Sequence, residues 1–250
     1  PGYRIGNPAI AIDPYDNRVY VAYEFERSTS NHDIYCKVYI PGKGWTESVT
    51  VTAESWNDRY PSITSEYQYG SSNYQYISFE HWYTSDDIDL CVVRSIDHGT
   101  TWSTRKWLQG YYDQNVYHQA RITNAEGNIY IVYRVATDYS STNGDIRVDM
   151  SSDHYVTWTT KSDIDGTTGN CWDPSIAATH GGDLVMVAFE YQSKVLYSYS
   201  QFKGSDPWHK GYVLDVLAPT PQKYPALTVD GGGNTSSTVK GNVYVVFSSG

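Results

Sequence analysis

Five versions of one phrase recur along this 250-residue chain, and their spacing limits what it can fold into more than any other feature. They are Asn7-Pro8-Ala9-Ile10, Tyr60-Pro61-Ser62-Ile63, Gln119-Ala120-Arg121-Ile122, Asp173-Pro174-Ser175-Ile176 and Tyr224-Pro225-Ala226-Leu227. Their closing apolar residues lie 53, 59, 54 and 51 positions apart. Each phrase is followed by a short alternating apolar run, Val19-Tyr20-Val21-Ala22-Tyr23 in the first copy and Val243-Tyr244-Val245-Val246-Phe247 in the last. A strand pattern returning every 50 to 60 residues, with no helical period between copies, predicts an all-β fold. The expected architecture is a β-propeller of four-stranded antiparallel blades, about five of them, the last incomplete.

The second copy shows the order of strands most clearly: A over 61–64, B over 74–80, C over 88–94, and D starting at Trp102. Trp45, Trp102, Trp158 and Trp208 mark strand D in four copies. Their spacings of 57, 56 and 50 give the same period independently. Blades are expected near 7–52, 60–109, 119–165, 173–216 and 224–250 of a single domain spanning 1–250. The fifth copy carries only strands A and B before Gly250, which leaves an incomplete blade or a piece of a longer propeller.

Antiparallel strands reverse direction, so strand A starts and strand B ends share one face while the C–D turns lie on the other. Strand B ends at Glu24, Glu80, Arg134, Glu190 and Ser248. Strand A is led by Asn7, Tyr60, Gln119, Asp173 and Tyr224, preceded by Gly6, Arg59, His118, Trp172 and Lys223. The candidate binding set is therefore Glu24, Tyr60, Glu80, Arg134, Trp172, Asp173, Glu190 and Tyr224. Aromatic faces beside hydrogen-bonding groups suit a sugar. A strand-end Glu is equally explained as solvated or paired with a cation such as Arg134. Calcium takes oxygen ligands, but no Asp-rich loop of recognisable spacing occurs, so neither a metal nor a cofactor is expected.

Composition narrows the partners. Aromatics make up 15% of the chain, with 25 Tyr and 8 Trp, and such residues favour strands. The net charge of −10 argues against nucleic acid and anionic lipid. No apolar run reaches the ~20 residues of a membrane helix. The composition fits an extracellular or cell-surface chain, and the start at Pro1 without Met fits a processed or excised piece. Cys36, Cys91 and Cys171 are odd in number, lack metal-ligand spacing and are expected as buried free thiols. Asn234-Thr235-Ser236 fits the glycosylation triplet, and Gly231-Gly232-Gly233 reads as a flexible loop tip. There is no nucleophile elbow, no phosphate loop and no paired-histidine metal motif.

Between strands C and D the second copy reads Ser95-Ile96-Asp97-His98-Gly99-Thr100-Thr101-Trp102 and the third Ser151-Ser152-Asp153-His154-Tyr155-Val156-Thr157-Trp158. These turns resemble the Asp box of the BNR-repeat propellers, the sialidase-like superfamily. In the third copy Tyr155 stands where the motif has Gly. The resemblance implies that Asp97 and Asp153 are structural and that chemistry belongs on the opposite face. Tyr3-Arg4-Ile5-Gly6-Asn7-Pro8 and Tyr23-Glu24-Phe25-Glu26-Arg27 are similar to two segments of sialidases. That likeness implies an arginine clamp for a substrate carboxylate, with Arg4, Arg59 and Arg134 as the arginines available. Two functions follow: a glycan- or protein-binding scaffold module, and a sialidase-type glycoside hydrolase.

Overall fold

The computed structural model describes residues 4–28, 30–66, 73–110, 115–161, 164–167, 169–179, 181–201, 204, 207–214, 221–229 and 242–249. Tyr3, Gly231-Gly232-Gly233 and Asn234-Thr235-Ser236 lie outside the described residues. The described residues contain β-strands and no α-helix. The first repeat comprises β1 (Ile5–Ile12), β2 (Val19–Ser28), β3 (Asn31–Ile40), β4 (Gly44–Trp45) and β5 (Val49–Thr50). The second comprises β6 (Asn57–Glu66), β7 (Tyr74–Thr84), β8 (Asp87–Ser95) and β9 (Lys106–Gln109). The third holds β10 (Val116–Ala125), β11 (Asn128–Ala136), β12 (Gly144–Ser151) and β13 (Thr159–Lys161). The fourth holds β14 (Cys171–Ala178), β15 (Leu184–Tyr191), β16 (Lys194–Gln201) and β17 (His209–Val213), and β18 (Gln222–Val229) and β19 (Val243–Ser249) follow.

The chain forms two compact units, Pro1–Ile122 and Thr123–Gly250, with the boundary inside β10. In the first, β1–β2–β3–β4 and β6–β7–β8–β9 are antiparallel meanders. Their facing sides form one core. Tyr20, Ala22, Ile34, Cys36 and Val38 of the first repeat meet Ile63, Ile77, Phe79, Cys91 and Val93 of the second. In the second unit, β11–β12–β13 and β14–β15–β16–β17 are meanders, and β18 pairs with β19. Its core joins Tyr130, Val132, Ile146 and Val148 to Ile176, Val185, Val187 and Phe189. Period-2 patterning explains these cores. Along β2 alternate residues Tyr20, Ala22 and Glu24 are buried, and both faces of the apolar β11 are. All three cysteines are free and buried.

Several strand boundaries differ from the sequence expectation, and strand B of the second repeat runs on to Thr84 instead of ending at Glu80. The fourth strand of the second repeat begins at Lys106 rather than Trp102. Trp102 packs against the core while the Ser103 hydroxyl and amide bond the amide and carbonyl of Arg94, and the ladder resumes beyond them. Strand A begins ahead of the Pro phrase, at Asn57 in β6 and Cys171 in β14, because a bulge carries the strand past the Pro.

The two Asp boxes make matching networks. The Ser95 hydroxyl donates to Asp97 Oδ1 (2.9 Å) and accepts the Gly99 amide (2.8 Å). Ser151 does the same for Asp153 (2.9 Å) and Tyr155 (2.9 Å). Thr101 donates its amide and hydroxyl to Asp97 at 2.8 and 2.6 Å, and Thr157 to Asp153 at 2.7 and 2.6 Å. Tyr155 adopts φ 90° where Gly99 has φ 78°, so the substituted turn keeps the left-handed backbone.

Candidate functional site

A single backbone device recurs at the head of every strand A. Asn7, Tyr60, Gln119, Asp173 and Tyr224 all have positive φ, at 47°, 51°, 58°, 48° and 53°. The ladder register shifts across this point between Gly6 and Ala9, Arg59 and Ser62, Trp172 and Ser175, and Lys223 and Ala226. Pro at the next position in four copies removes a ladder donor and favours a bulge. Left-handed backbone before Pro is costly, and in the first unit carboxylates offset it. Glu24 accepts the Tyr60 amide at 3.4 Å and the Asn7 side-chain amide at 2.8 Å. Glu80 accepts the Gln119 amide at 2.6 Å. The end of strand B in one repeat thus fastens the bulge of the next.

Around Glu24 a half-exposed cluster collects. Arg59 Nε lies 3.2 Å from Glu24 Oε1, and its guanidinium sits over the rings of Tyr60 (5.2 Å) and Trp82 (5.3 Å). No described residue accepts a hydrogen bond from either Nη of Arg59. His32 Nε2 is 3.6 Å from Glu24, and its Nδ1 is 2.9 Å from Asn57 Oδ1. Trp82 Nε1 donates to Glu80 Oε2 at 2.9 Å, tying the two carboxylates into one assembly. Burial pushes the Glu80 carboxyl up to about 7, against hydrogen bonds from Gln119 and Trp82.

Beneath this cluster is a network that the sequence reading did not single out. Asp58 follows the opposite pleat from Arg59. It binds His81 Nδ1 at 2.6 Å and takes Arg105 through both oxygens, each at 3.2 Å. Arg105 also reaches Glu54 at 3.0 Å and lies over Trp107 at 5.3 Å, while His81 packs edge-on to Tyr83 and Trp107. The one sequence signal was Asn57-Asp58-Arg59 running ahead of the Pro phrase. Its partners lie 23 and 47 positions away and follow from no local pattern.

In the second unit the expected site residues are placed differently. Arg134 is fully buried, with Nε donating to Cys171 O at 2.7 Å and Nη2 to Ser141 O. Its guanidinium lies 3.7 Å from the Trp172 ring centroid, in space that a Cβ on Gly144 would occupy. Burial lowers its pKa to about 10. Arg134 therefore fastens Cys171-Trp172 at the head of β14, with donors directed inward. Glu190 is nearly buried, its carboxyl raised by burial, with Lys223 at 3.9 Å. Asp173 adds a second negative charge near it. Tyr224 is 64% exposed. Arg4 extends into solvent with a 3.8 Å ion pair to Glu26.

Among the described residues one cluster has metal-ligand geometry: Asp13, Asp16 and His98, with ligand atoms within 4.8 Å of one another. Asp13 already accepts the Tyr15 amide and the Asn73 side chain, each at 2.8 Å, and Asp16 pairs with Arg18 at 3.1 Å.

No family model and no curated protein matches the chain. Solved structures do. The chain superposes over 97% of its length on a mutant of the NanB sialidase from Streptococcus pneumoniae, covering 56% of that protein, with a TM-score of 0.65 and 10% identity. The α-L-arabinofuranosidase of Fusarium graminearum, solved with arabinobiose, matches over 98% of this chain and 76% of its own length, at TM-score 0.66 and 13% identity. Polysaccharide lyase Uly1 matches over 99% and 56%, at TM-score 0.62 and 12% identity. The chain thus spans little more than half of the sialidase and of the lyase. The fold is that of the sialidase-like β-propellers.

Proposed function

We propose, from the sialidase-like β-propeller fold, that this chain is a carbohydrate-binding module whose first unit reads a glycan at Arg59. One observation carries the reading. The Arg59 guanidinium is held by a single nitrogen on Glu24 and laid against Tyr60 and Trp82, with both Nη groups unspent among the described residues. Aromatic faces take the C–H face of a sugar ring, and a fixed guanidinium reads its oxygens. Proteins of this fold named for action on glycans, one of them holding arabinobiose, support a sugar over a peptide. The extracellular or cell-surface setting belongs to the same proposal and rests on composition.

A glycoside hydrolase is the second reading, favoured by Glu80, whose raised pKa of about 7 suits a general acid. Two features weigh against it. Both Glu80 oxygens already accept hydrogen bonds in a residue 2% exposed, and Arg134 is fully buried with Nε and Nη2 committed to backbone carbonyls. Calorimetric titration with arabinobiose and with 3′-sialyllactose tests the binding module. Arg59→Ala and Trp82→Ala are expected to weaken binding at least tenfold, in protein that melting curves show to be folded at the assay temperature. Absence of binding to any member of a neutral and acidic glycan array would sink it. Turnover of a fluorogenic arabinofuranoside or sialoside, abolished in Glu80→Gln, would establish the hydrolase instead.

A further inference from the structure

Glu24, Glu80 and Glu190 occupy one place in three repeats, and Glu80 differs from the other two in its partners. Glu24 has Arg59 at 3.2 Å, and Glu190 has Lys223 at 3.9 Å. Among the described residues no cation lies within ion-pair distance of Glu80, which is 2% exposed. Its oxygens accept neutral donors instead, the Gln119 amide at 2.6 Å and the Trp82 indole Nε1–H at 2.9 Å. A buried carboxylate without a counter-ion is driven toward its protonated form. Burial raising the Glu80 pKa to about 7 agrees with that geometry.

A proton on Glu80 disturbs one of its two hydrogen bonds. An ionised carboxylate only accepts, whereas the protonated form carries an O–H donor and accepts less well at that oxygen. Both oxygens face N–H groups, so the added proton sets donor against donor at one of them. The Gln119 amide is fixed in the backbone, in a left-handed residue at φ 58°. The Trp82 indole is half-buried, turns about side-chain bonds and makes the longer hydrogen bond. The indole therefore gives way first. Its ring carries the Arg59 guanidinium at 5.3 Å, so a loosened Trp82 loosens the surface on which that group lies. The charged groups around Glu80 are Arg59, opposite it on β6, and Arg121 on β10, and arginine holds its charge at any working pH. The register partner of Glu80 on β8 is the uncharged Leu90. Two histidines adjoin the assembly, His118 next to Gln119 and His32 beside Glu24.

We propose that Glu80 positions Trp82 and so sets glycan affinity at the Arg59 site through its own protonation. Affinity is high with the carboxylate ionised and falls once it is protonated, so the site releases sugar on acidification. The switch rests on the reading of Arg59 as a glycan site and adds its regulation. Glu80 touches no sugar in this scheme; it acts through the indole.

Calorimetric titration with arabinobiose and with 3′-sialyllactose, at about pH 5.5 and about pH 8.5, tests the switch on both sides of its midpoint. Wild-type affinity should be about tenfold higher at the upper pH, the worth of one hydrogen bond. Glu80→Gln cannot ionise, and Trp82→Phe keeps a ring without the N–H. Each should bind with one weak affinity at both pH values, while His32→Gln keeps the wild-type ratio. With no sugar present, the Trp82 indole N–H resonance, assigned by its absence from Trp82→Phe, should titrate with a midpoint near 7. Should Glu80→Gln not fold, Trp82→Phe and that resonance decide the matter. Equal wild-type affinities at the two pH values, or a resonance that does not titrate, overturns the proposal. An unchanged ratio in Trp82→Phe would assign the titration to a group that bypasses the indole, such as His118, and a lost ratio in His32→Gln would assign it to His32. Either outcome overturns it too. Absence of sugar binding at both pH values would instead sink the Arg59 reading, and the switch with it.

Discussion

Glu80 in the first unit and Arg134 in the second stand at the same place, the end of strand B, and do the same job with opposite charge. Glu80 accepts the amide at the head of the following strand A, while Arg134 donates to the carbonyl of Cys171 in the corresponding segment. A bulge frees both an N–H and a C=O from the ladder, so an acceptor or a donor can fasten it. The burial costs differ. The carboxylate gives up charge, its pKa rising to about 7, whereas the guanidinium stays charged at neutral pH and spreads its charge over carbonyls and the Trp172 face. Position in the repeat therefore sets the task, and the neighbours select the chemistry.

The sharpest break of this comparison is Arg134→Ala. It removes a fully buried side chain and strands the carbonyls of Cys171 and Ser141, so urea unfolding should show a loss of about 4 kcal/mol. An equal stability of variant and wild type would mean that Arg134 fastens nothing.

Glu80 should show itself through pH. Its folded pKa of about 7 lies above the ordinary carboxylate value of 4.5, so the folded state binds a proton that the unfolded state releases. That contribution is fully present below pH 4.5 and is lost as pH rises through 7. It amounts to about 3 kcal/mol over the window. Glu80→Gln should flatten the slope and cost about 1–2 kcal/mol at pH 7, because its amide presents a donor to one of two N–H groups. Asp33, raised by burial to about 6, leaves a residual slope of the same sign. An unchanged slope in Glu80→Gln would put the titration elsewhere.

The Asp boxes titrate the other way. Hydrogen bonds led by those from Thr157 hold Asp153 at about 2. Asp97 is lowered too, the Thr101 and Ser95 bonds outweighing the upward push of burial. Their support is present above the ordinary carboxylate pKa and is lost as pH falls through the lowered value. Asp97→Ala should cost about 1–2 kcal/mol near neutral pH. Asp153→Ala should lower the melting temperature too, and neither variant should alter glycan binding. A variant that melts normally yet loses binding would move the site to the Asp-box face.

The smallest expected effect distinguishes the two turns. Tyr155→Gly relieves a left-handed tyrosine but loses its edge contact with Trp158, so the net change should stay within about 1 kcal/mol. Gly99→Ala should destabilise, since its φ is 78° and the added methyl would lie 3.2 Å from Val38 Cγ2. Equal responses from the two substitutions would show that the left-handed backbone is not what the motif's glycine serves.

The repeat, the all-β character and the Asp-box turns were legible because each is written locally, as alternation, Pro phrases and turn residues. Glu24 and Tyr60 could be placed together by strand direction alone, and the structure joins them through a hydrogen bond. Direction could not say how deep a strand end lies. The burial of Arg134 depends on Trp172, 38 positions on, and on the missing side chain at Gly144. Likewise Trp82 is two residues past a strand end the sequence set at Glu80, and Asp58, His81 and Arg105 converge from three strands or loops. Such convergence is a property of the packed fold, and no single stretch carries it.

The five left-handed strand-head residues carry a consequence for diversification. Because the left-handed residue steps out of the ladder, its side chain is released from strand pairing, and Asn, Tyr, Gln, Asp and Tyr all occupy it without altering the sheet. Each such position is thus an interchangeable slot at the head of a strand. A library randomised at Asn7, Tyr60, Gln119, Asp173 and Tyr224 alone would sample new surfaces while leaving both hydrophobic cores untouched.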